Sequence, residues 1–127
     1  MKLHGIGTDI VKINRLSNII KKNKSFLLRV FSKKEISFCS KKKTKYNCLA
    51  KRFAAKESFS KALGTGIAHG LSFNEIEILN NKIGKPYINL KGKSLKTVNK
   101  FLKKNTKVFL SLSDESNYAI AFVVISK

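Results

Sequence analysis

The sequence predicts an α+β domain built on an antiparallel sheet, and three observations predict it. Apolar residues at helical spacing fill the first half of the chain, and short alternating runs bounded by turn residues fill the second. The connections needed for a wound parallel sheet are missing. At 127 residues the whole chain, 1–127, reads as a single domain with its own core.

Leu3 to Ile10 reads as a strand in which Gly5 and Gly7 let the backbone approach another element closely. Ile13, Leu16, Ile19 and Ile20 recur at helical spacing and predict an amphipathic helix from about Val11 to Lys22. Its other face carries Lys12, Arg15, Asn18 and Lys22. Phe26, Leu27, Val30 and Phe31 fit a short second helix. Ser32 followed by Glu35 matches a capping box, so another helical turn or two should run through Phe38.

Lys41 to Lys45 is a solvated loop. The long central helix begins near Tyr46, with Leu49, Phe53, Ala54, Phe59, Ala62 and Leu63 as its buried stripe and Gly64 as its stop. Phe73 to Leu79 alternates as a strand, Asn80-Asn81 supplies turn residues, and Pro86 to Leu90 returns. Ser94 to Lys104 reads as a helix with Leu95, Val98, Phe101 and Leu102 inward. Val108 to Leu112 and Tyr118 to Ile125 form a hairpin across Asp114-Glu115-Ser116-Asn117.

Composition bounds the function. No apolar stretch approaches the roughly 20 residues a membrane helix needs, and the first residues lack a signal-peptide core. A cytoplasmic protein without membrane insertion is expected. Cys39 and Cys48 are too few for a disulfide framework and lack zinc-type spacing, so reduced, packed thiols are expected. The formal net charge of +20 points to an acidic partner or to lysine-rich composition. Only Arg15, Arg29 and Arg52 are arginines, whereas phosphate-reading surfaces favour the arginine fork. No stacking pattern, zinc finger or helix-turn-helix accompanies the charge, so a non-enzymatic nucleic-acid-binding domain is the second reading and no nucleic-acid partner is expected.

With 7 acidic residues against 27 basic ones, each conspicuous carboxylate is a candidate for chemistry. Asp9 lies between strand and helix, as an N-cap or as a metal ligand at a strand end. Glu57 precedes Lys61 by four residues, as a helix-surface ion pair or as a second ligand on a small, polar face shared with Ala54 and Ser58. Gly64-Thr65-Gly66 terminates the helix or offers amides to a diphosphate beside the Lys61 point charge. Two carboxylates completed by substrate phosphates are the usual magnesium arrangement. His4 and His69 have no partner spacing for a metal. No Ser-His-Asp or Cys-His pairing supplies a covalent nucleophile.

Four segments carry a resemblance to a known family: Gly5-Ile6-Gly7-Thr8-Asp9-Ile10-Val11, the run from Arg52 through Gly66, Gly84-Lys85-Pro86-Tyr87, and Ser111-Leu112-Ser113-Asp114. In order and spacing they resemble holo-[acyl-carrier-protein] synthase, the small bacterial class of 4′-phosphopantetheinyl transferases. The resemblance implies that fold, assembled as a trimer with the ligand cleft between neighbouring subunits, and strands of the second half lining the threefold core. It implies a reaction in which coenzyme A and an apo acyl carrier protein give the holo carrier and adenosine 3′,5′-bisphosphate, in support of fatty acid synthesis. The nucleophile is then a serine of the carrier.

By the same resemblance Asp9 and Glu57 are magnesium ligands, and with Lys61 they form the catalytic set. Lys61 neutralises phosphate oxygens, the Gly64, Thr65 and Gly66 amides add donors, and Arg52 is a ligand-site cation for the 3′-phosphate. The base is either Glu57 or a water on the metal. Arg15 matches the arginine that docks the acidic carrier helix, with Lys22 about two turns further along the same face. Lys12 stands where the family commonly has glutamate, Ser58 where alanine is common, and Asp114 where many members have histidine.

Overall fold

Helix α4 (Lys45–Leu63) is the axis of the computed structural model, which describes residues 2–127. One side of it takes a three-stranded antiparallel sheet of order β1-β5-β4, made of β1 (Leu3–Lys12), β4 (Lys107–Asp114) and β5 (Tyr118–Ser126). The approach is close because the chain removes side chains where it must. A Cβ at Gly5 would overlap the Ala62 carbonyl oxygen, and one at Gly7 would overlap that of Ser58. The Ser58 hydroxyl then donates to the Ala121 carbonyl at 3.2 Å, tying α4 to the middle strand.

Strand alternation decides what each face of this sheet does. Ala119, Ala121, Val123 and Ile125 turn towards α4 and are fully buried. The opposite face carries Ile6, Ile10, Phe109, Ile120 and Phe122, each between 43 and 62% exposed, so an apolar sheet surface stands uncovered in the single chain.

Helices α1 (Ile13–Lys22) and α3 (Lys33–Ser40) pack on α4, while α2 (Lys24–Val30) packs on a 3₁₀ turn at Phe73–Glu75. A second sheet is the hairpin of β2 (Ile76–Asn80) and β3 (Pro86–Leu90), followed by α5 (Gly92–Phe101). The capping box forms: the Ser32 hydroxyl accepts from Glu35 N–H at 3.3 Å, and Ser32 N–H donates to Glu35 Oε1 at 2.9 Å. Gly64 ends α4 in the left-handed conformation, φ 93°.

Glu35 also does something the capping pattern does not announce. Its Oε1 accepts from the buried Lys56 ammonium at 2.8 Å, and its Oε2 accepts from Ile78 N–H at 3.0 Å. Lys56 spends its other two donors on the carbonyls of Phe73 (2.8 Å) and Ile76 (2.7 Å). Burial pushes the Lys56 pKa down, with Glu35 opposing. This satisfied ion pair ties α3, α4 and β2 together, and removing either partner would strand a buried charge.

Several sequence expectations are corrected. The first strand runs on to Lys12, held by pairing of Lys12 with Tyr118, so α1 starts at Ile13 and Asp9 is a strand residue rather than an N-cap. The β-branched pair Ile10-Val11 suits that extension. Phe73 to Glu75 is a 3₁₀ turn instead of the start of a strand, and Glu77 on β2 is buried, accepting from Asn89 Nδ2 at 2.9 Å and paired with Lys91 at 3.3 Å. Leu95 and Phe101 of α5 are exposed, with Val98 and Ser94 inward.

Cys39 and Cys48 form a disulfide instead of free thiols. The last turn of α3 lies against the first turn of α4 and brings their Cα atoms to 5.5 Å, a proximity that spacing alone does not reveal. The bond closes a loop with a sequence separation of 9. Reduction is expected to lower unfolding stability by about 2.5 kcal/mol on the chain-entropy scale. The urea midpoint with and without a thiol reductant measures it, and an unchanged midpoint would mean that no bond is present in the native protein.

Candidate active site

Gly7 places β1 against the Ser58–Ala62 stretch of α4, and Asp9, two residues on, lies on the same strand face. Asp9 and Glu57 thereby line one cavity of about 270 Å³, together with Lys12, Arg15, Phe26 and Phe53. Lys61, one helical turn beyond Glu57, does not pair along its own helix. It donates to the Thr8 carbonyl at 3.0 Å and lies 3.4 Å from Asp9 Oδ1. The structure therefore gathers Asp9, Glu57 and Lys61.

Both carboxylates are uncomfortable as charges. Burial raises the Asp9 pKa, opposed by Lys61 and by the Ile10 amide. Burial raises the Glu57 pKa too, and the Asp9 charge raises it further. Lys61 offsets this only in part for either carboxylate, and a divalent cation held between the two would favour their charged forms. No group of three His, Cys, Asp or Glu side chains is assembled among the described residues. Two carboxylates without a third protein ligand suit magnesium, which keeps water and phosphate oxygens around it.

Arg52 is not in this cavity. Five residues separate it from Glu57, about 140° around the helix and roughly 7.5 Å along it. Arg52 is 3% exposed, and its guanidinium donates to Asn80 Oδ1 and to Cys48 Sγ (3.4 Å) and lies 4.5 Å from the Phe38 ring centroid. Its Nε has no partner among the described residues, and burial pushes its pKa down. It borders a second cavity of about 430 Å³, which Lys42, Lys51, Gly84, Pro86 and Ser111 also line. The four sequence motifs therefore sort into two cavities.

The Gly64-Thr65-Gly66 amides are turned inward. All three donate to the Ser60 carbonyl, at 3.2, 3.3 and 3.1 Å, so this turn caps the helix and does not present a row of free amides. This corrects the expectation of donors for a diphosphate. Side-chain space at Gly64 and Gly66 is open, so the turn leaves room beside Lys61. Arg15 and Lys22 are both exposed, and seven residues apart on α1 they share one face.

Sequence reasoning missed three groups. Lys56 with Glu35 reads as surface charge until the tertiary fold buries it. Asn80 gives no signal as the arginine's partner. Lys51 and Asn47, one helical turn apart, both reach Asp114. Their spacing marks a shared face, but only the fold supplies the acid.

Comparison with known proteins shows the family and the fold. The family profile described as the 4′-phosphopantetheinyl transferase superfamily matches residues 5–123. A holo-[acyl-carrier-protein] synthase of Pelagibacter ubique is 44% identical over 100% of this chain and 99% of its own length. The crystal structure of the synthase from Neisseria meningitidis superposes with a TM-score of 0.87 at 38% identity, covering 98% of this chain and 99% of that one. The Bacillus anthracis synthase, solved in complex with CoA (3′,5′-ADP), superposes with a TM-score of 0.80 at 32% identity, covering 100% of this chain and 99% of that one.

Proposed function

We propose, because the chain belongs to the 4′-phosphopantetheinyl transferase superfamily, that it moves the 4′-phosphopantetheine arm of coenzyme A onto a serine of apo acyl carrier protein. The observation that carries this reading is the meeting of Asp9 and Glu57 at one cavity, with Lys61 3.4 Å from Asp9, each from a segment that resembles a family motif. The carrier serine oxygen forms a bond to the phosphorus on the pantetheine side. The bond from that phosphorus to the bridging oxygen breaks, releasing adenosine 3′,5′-bisphosphate.

Asp9 and Glu57 would hold a magnesium ion, which when bound supplies charge stabilisation to the transferring phosphoryl group. Lys61, tethered by the Thr8 carbonyl, sits where its ammonium can meet phosphate oxygens. Of this chain's own groups at the site, Glu57 is the one that would accept the serine proton, if a water there does not. No nucleophile is needed from this chain. A nucleic-acid-binding role finds no support in the relatives described.

The finer points belong to the same reading. The uncovered apolar sheet face and the separation of the Arg52 cavity from Asp9 and Glu57 both suit a homotrimer whose cleft combines two subunits. Arg52 would then meet the ligand bound at a neighbour's carboxylates. We place the enzyme in the cytoplasm, serving fatty acid synthesis. No helix among the described residues is long and apolar enough to cross a membrane.

Arg15 stands at the mouth of the carboxylate cavity and Lys22 further along α1, a basic face for the acidic carrier. Arg15→Glu should raise the carrier KM by about tenfold or more, with little change in coenzyme A affinity, as expected for a charge reversed at a docking face. An unchanged carrier KM would remove Arg15 from docking. The activity itself is tested by incubating the folded protein with coenzyme A and apo carrier and reading the carrier's mass. Formation of holo carrier is expected, and its absence would overturn the proposed function.

A further inference from the structure

Where many family members carry histidine, this chain has Asp114, and a carboxylate beside an anion-binding cavity would repel its ligand. The structure answers this locally. Asp114, the last residue of β4, accepts from Lys51 Nζ at 3.0 Å through Oδ1 and from Asn47 Nδ2 at 2.9 Å through Oδ2. Both oxygens are committed, and the acid carries its own cation. These bonds also hold the Asp114 pKa below the usual carboxylate value, Asn47 first and Lys51 next, against burial.

The pair matters because of where Lys51 stands. It lines the second cavity beside the buried Arg52, whose Nε has no partner among the described residues. An ammonium has three donors, and Asp114 takes one. Asn47 and Lys51 are one turn apart on α4, so one carboxylate clamps both and fixes the lysine against a rigid helix.

We infer that Asp114, with Asn47, is a positioning residue that holds Lys51 at the mouth of the Arg52 cavity, where Lys51 joins Arg52 in taking the 3′-phosphate of coenzyme A. The inference rests on the proposed use of coenzyme A as donor. A partly exposed ion pair with no ligand role would be worth little and would leave donor selection untouched.

The test uses the full chain with saturating carrier and two donors, coenzyme A and 3′-dephospho-coenzyme A. Lys51→Met leaves Asp114 uncompensated and should raise the KM for coenzyme A by about tenfold, the scale of one charge-assisted hydrogen bond. The KM for the dephospho donor should move by less than about twofold, since that donor has no group for Lys51 to bind. Lys51→Met combined with Asp114→Asn should recover part of the coenzyme A loss by removing the stranded acid. Asp114→Glu, which keeps the charge, should stay nearer to wild type than Asp114→Ala does.

Equal KM changes for both donors, no change in Lys51→Met, or a double variant as poor as the single one would overturn the assignment. A wild-type protein that transfers from neither donor would instead overturn the activity on which the inference rests.

Discussion

Glu57→Gln is expected to lower transfer to the carrier by at least about a thousandfold while leaving the protein folded, the scale of losing a metal ligand at a phosphoryl-transfer centre. Glutamine keeps the shape of the side chain, so the cavity between β1 and α4 persists. What disappears is one of the two negative charges that gather there. Asp9→Asn should behave alike, because the two carboxylates act as one unit.

The same substitution carries a stability signature of opposite sign. Burial and the Asp9 charge raise the Glu57 pKa in the folded state. A carboxyl group of this kind contributes its full stability below the ordinary carboxylate pKa and loses it as pH rises through the raised value. At neutral pH without a divalent cation, wild-type Glu57 is therefore a net cost, and Glu57→Gln should melt at or above the wild-type temperature. Magnesium should raise the wild-type melting temperature and leave that of the variant unchanged. A variant that melts lower and still transfers would move the metal site elsewhere.

Phe122→Asp is expected to convert the protein to inactive monomers. Phe122 lies on the middle strand, opposite Thr8 on one side and Ser111 on the other, and points away from α4. Its neighbours on that face, Ile6, Ile10, Phe109 and Ile120, form a continuous apolar surface that a soluble chain covers with a partner. A carboxylate at its centre would be buried unpaired in any assembly that uses the face, a cost of several kcal/mol per subunit. The fold itself should survive, since Ala121 and Val123 on the other side hold the contacts with α4. Sedimentation measures the state: the wild type should be a trimer, and the variant a folded monomer without transfer. A variant still trimeric, or an active monomer, would contradict the two-subunit cleft.

Much of this was legible in the chain, and the unread part has a common cause. Gly5 and Gly7 announced a close approach, and the fold supplies the partners, the carbonyls of Ala62 and Ser58. Ser32 and Glu35 announced a cap, because capping is local. The scarcity of acids singles out Asp9 and Glu57 as a candidate pair, but periodicity places neither relative to the other, and only the fold brings them to one cavity. Asp9 admits a helix-cap reading because the sequence does not say where the strand ends; pairing with β5, which the β-branched Ile10 and Val11 suit, carries β1 past it to Lys12. The Gly64-Thr65-Gly66 turn looked open because sequence does not say where amides point, and they point at Ser60.

The charged interior was hidden for the same reason. Lys56 sits among many lysines, and only the convergence of Glu35, Phe73 and Ile76 makes it a buried anchor. The cysteines gave the wrong expectation because compartment and spacing were used where the packing of α3 on α4 decides. Arg52, expected as a ligand-site cation for the 3′-phosphate, lies five residues and about 140° from Glu57 on α4, away from the carboxylates of its own chain. That separation is one of the two observations that favour a cleft shared between subunits.

The most direct measurement is transfer of a labelled pantetheine arm from coenzyme A to purified apo acyl carrier protein, by folded wild-type protein, with magnesium, with chelator, and with magnesium restored. The account predicts holo carrier in magnesium, none above background in chelator, and recovery when magnesium returns. Equal transfer in the presence of chelator would contradict the assignment of Asp9 and Glu57 to a metal that serves the reaction.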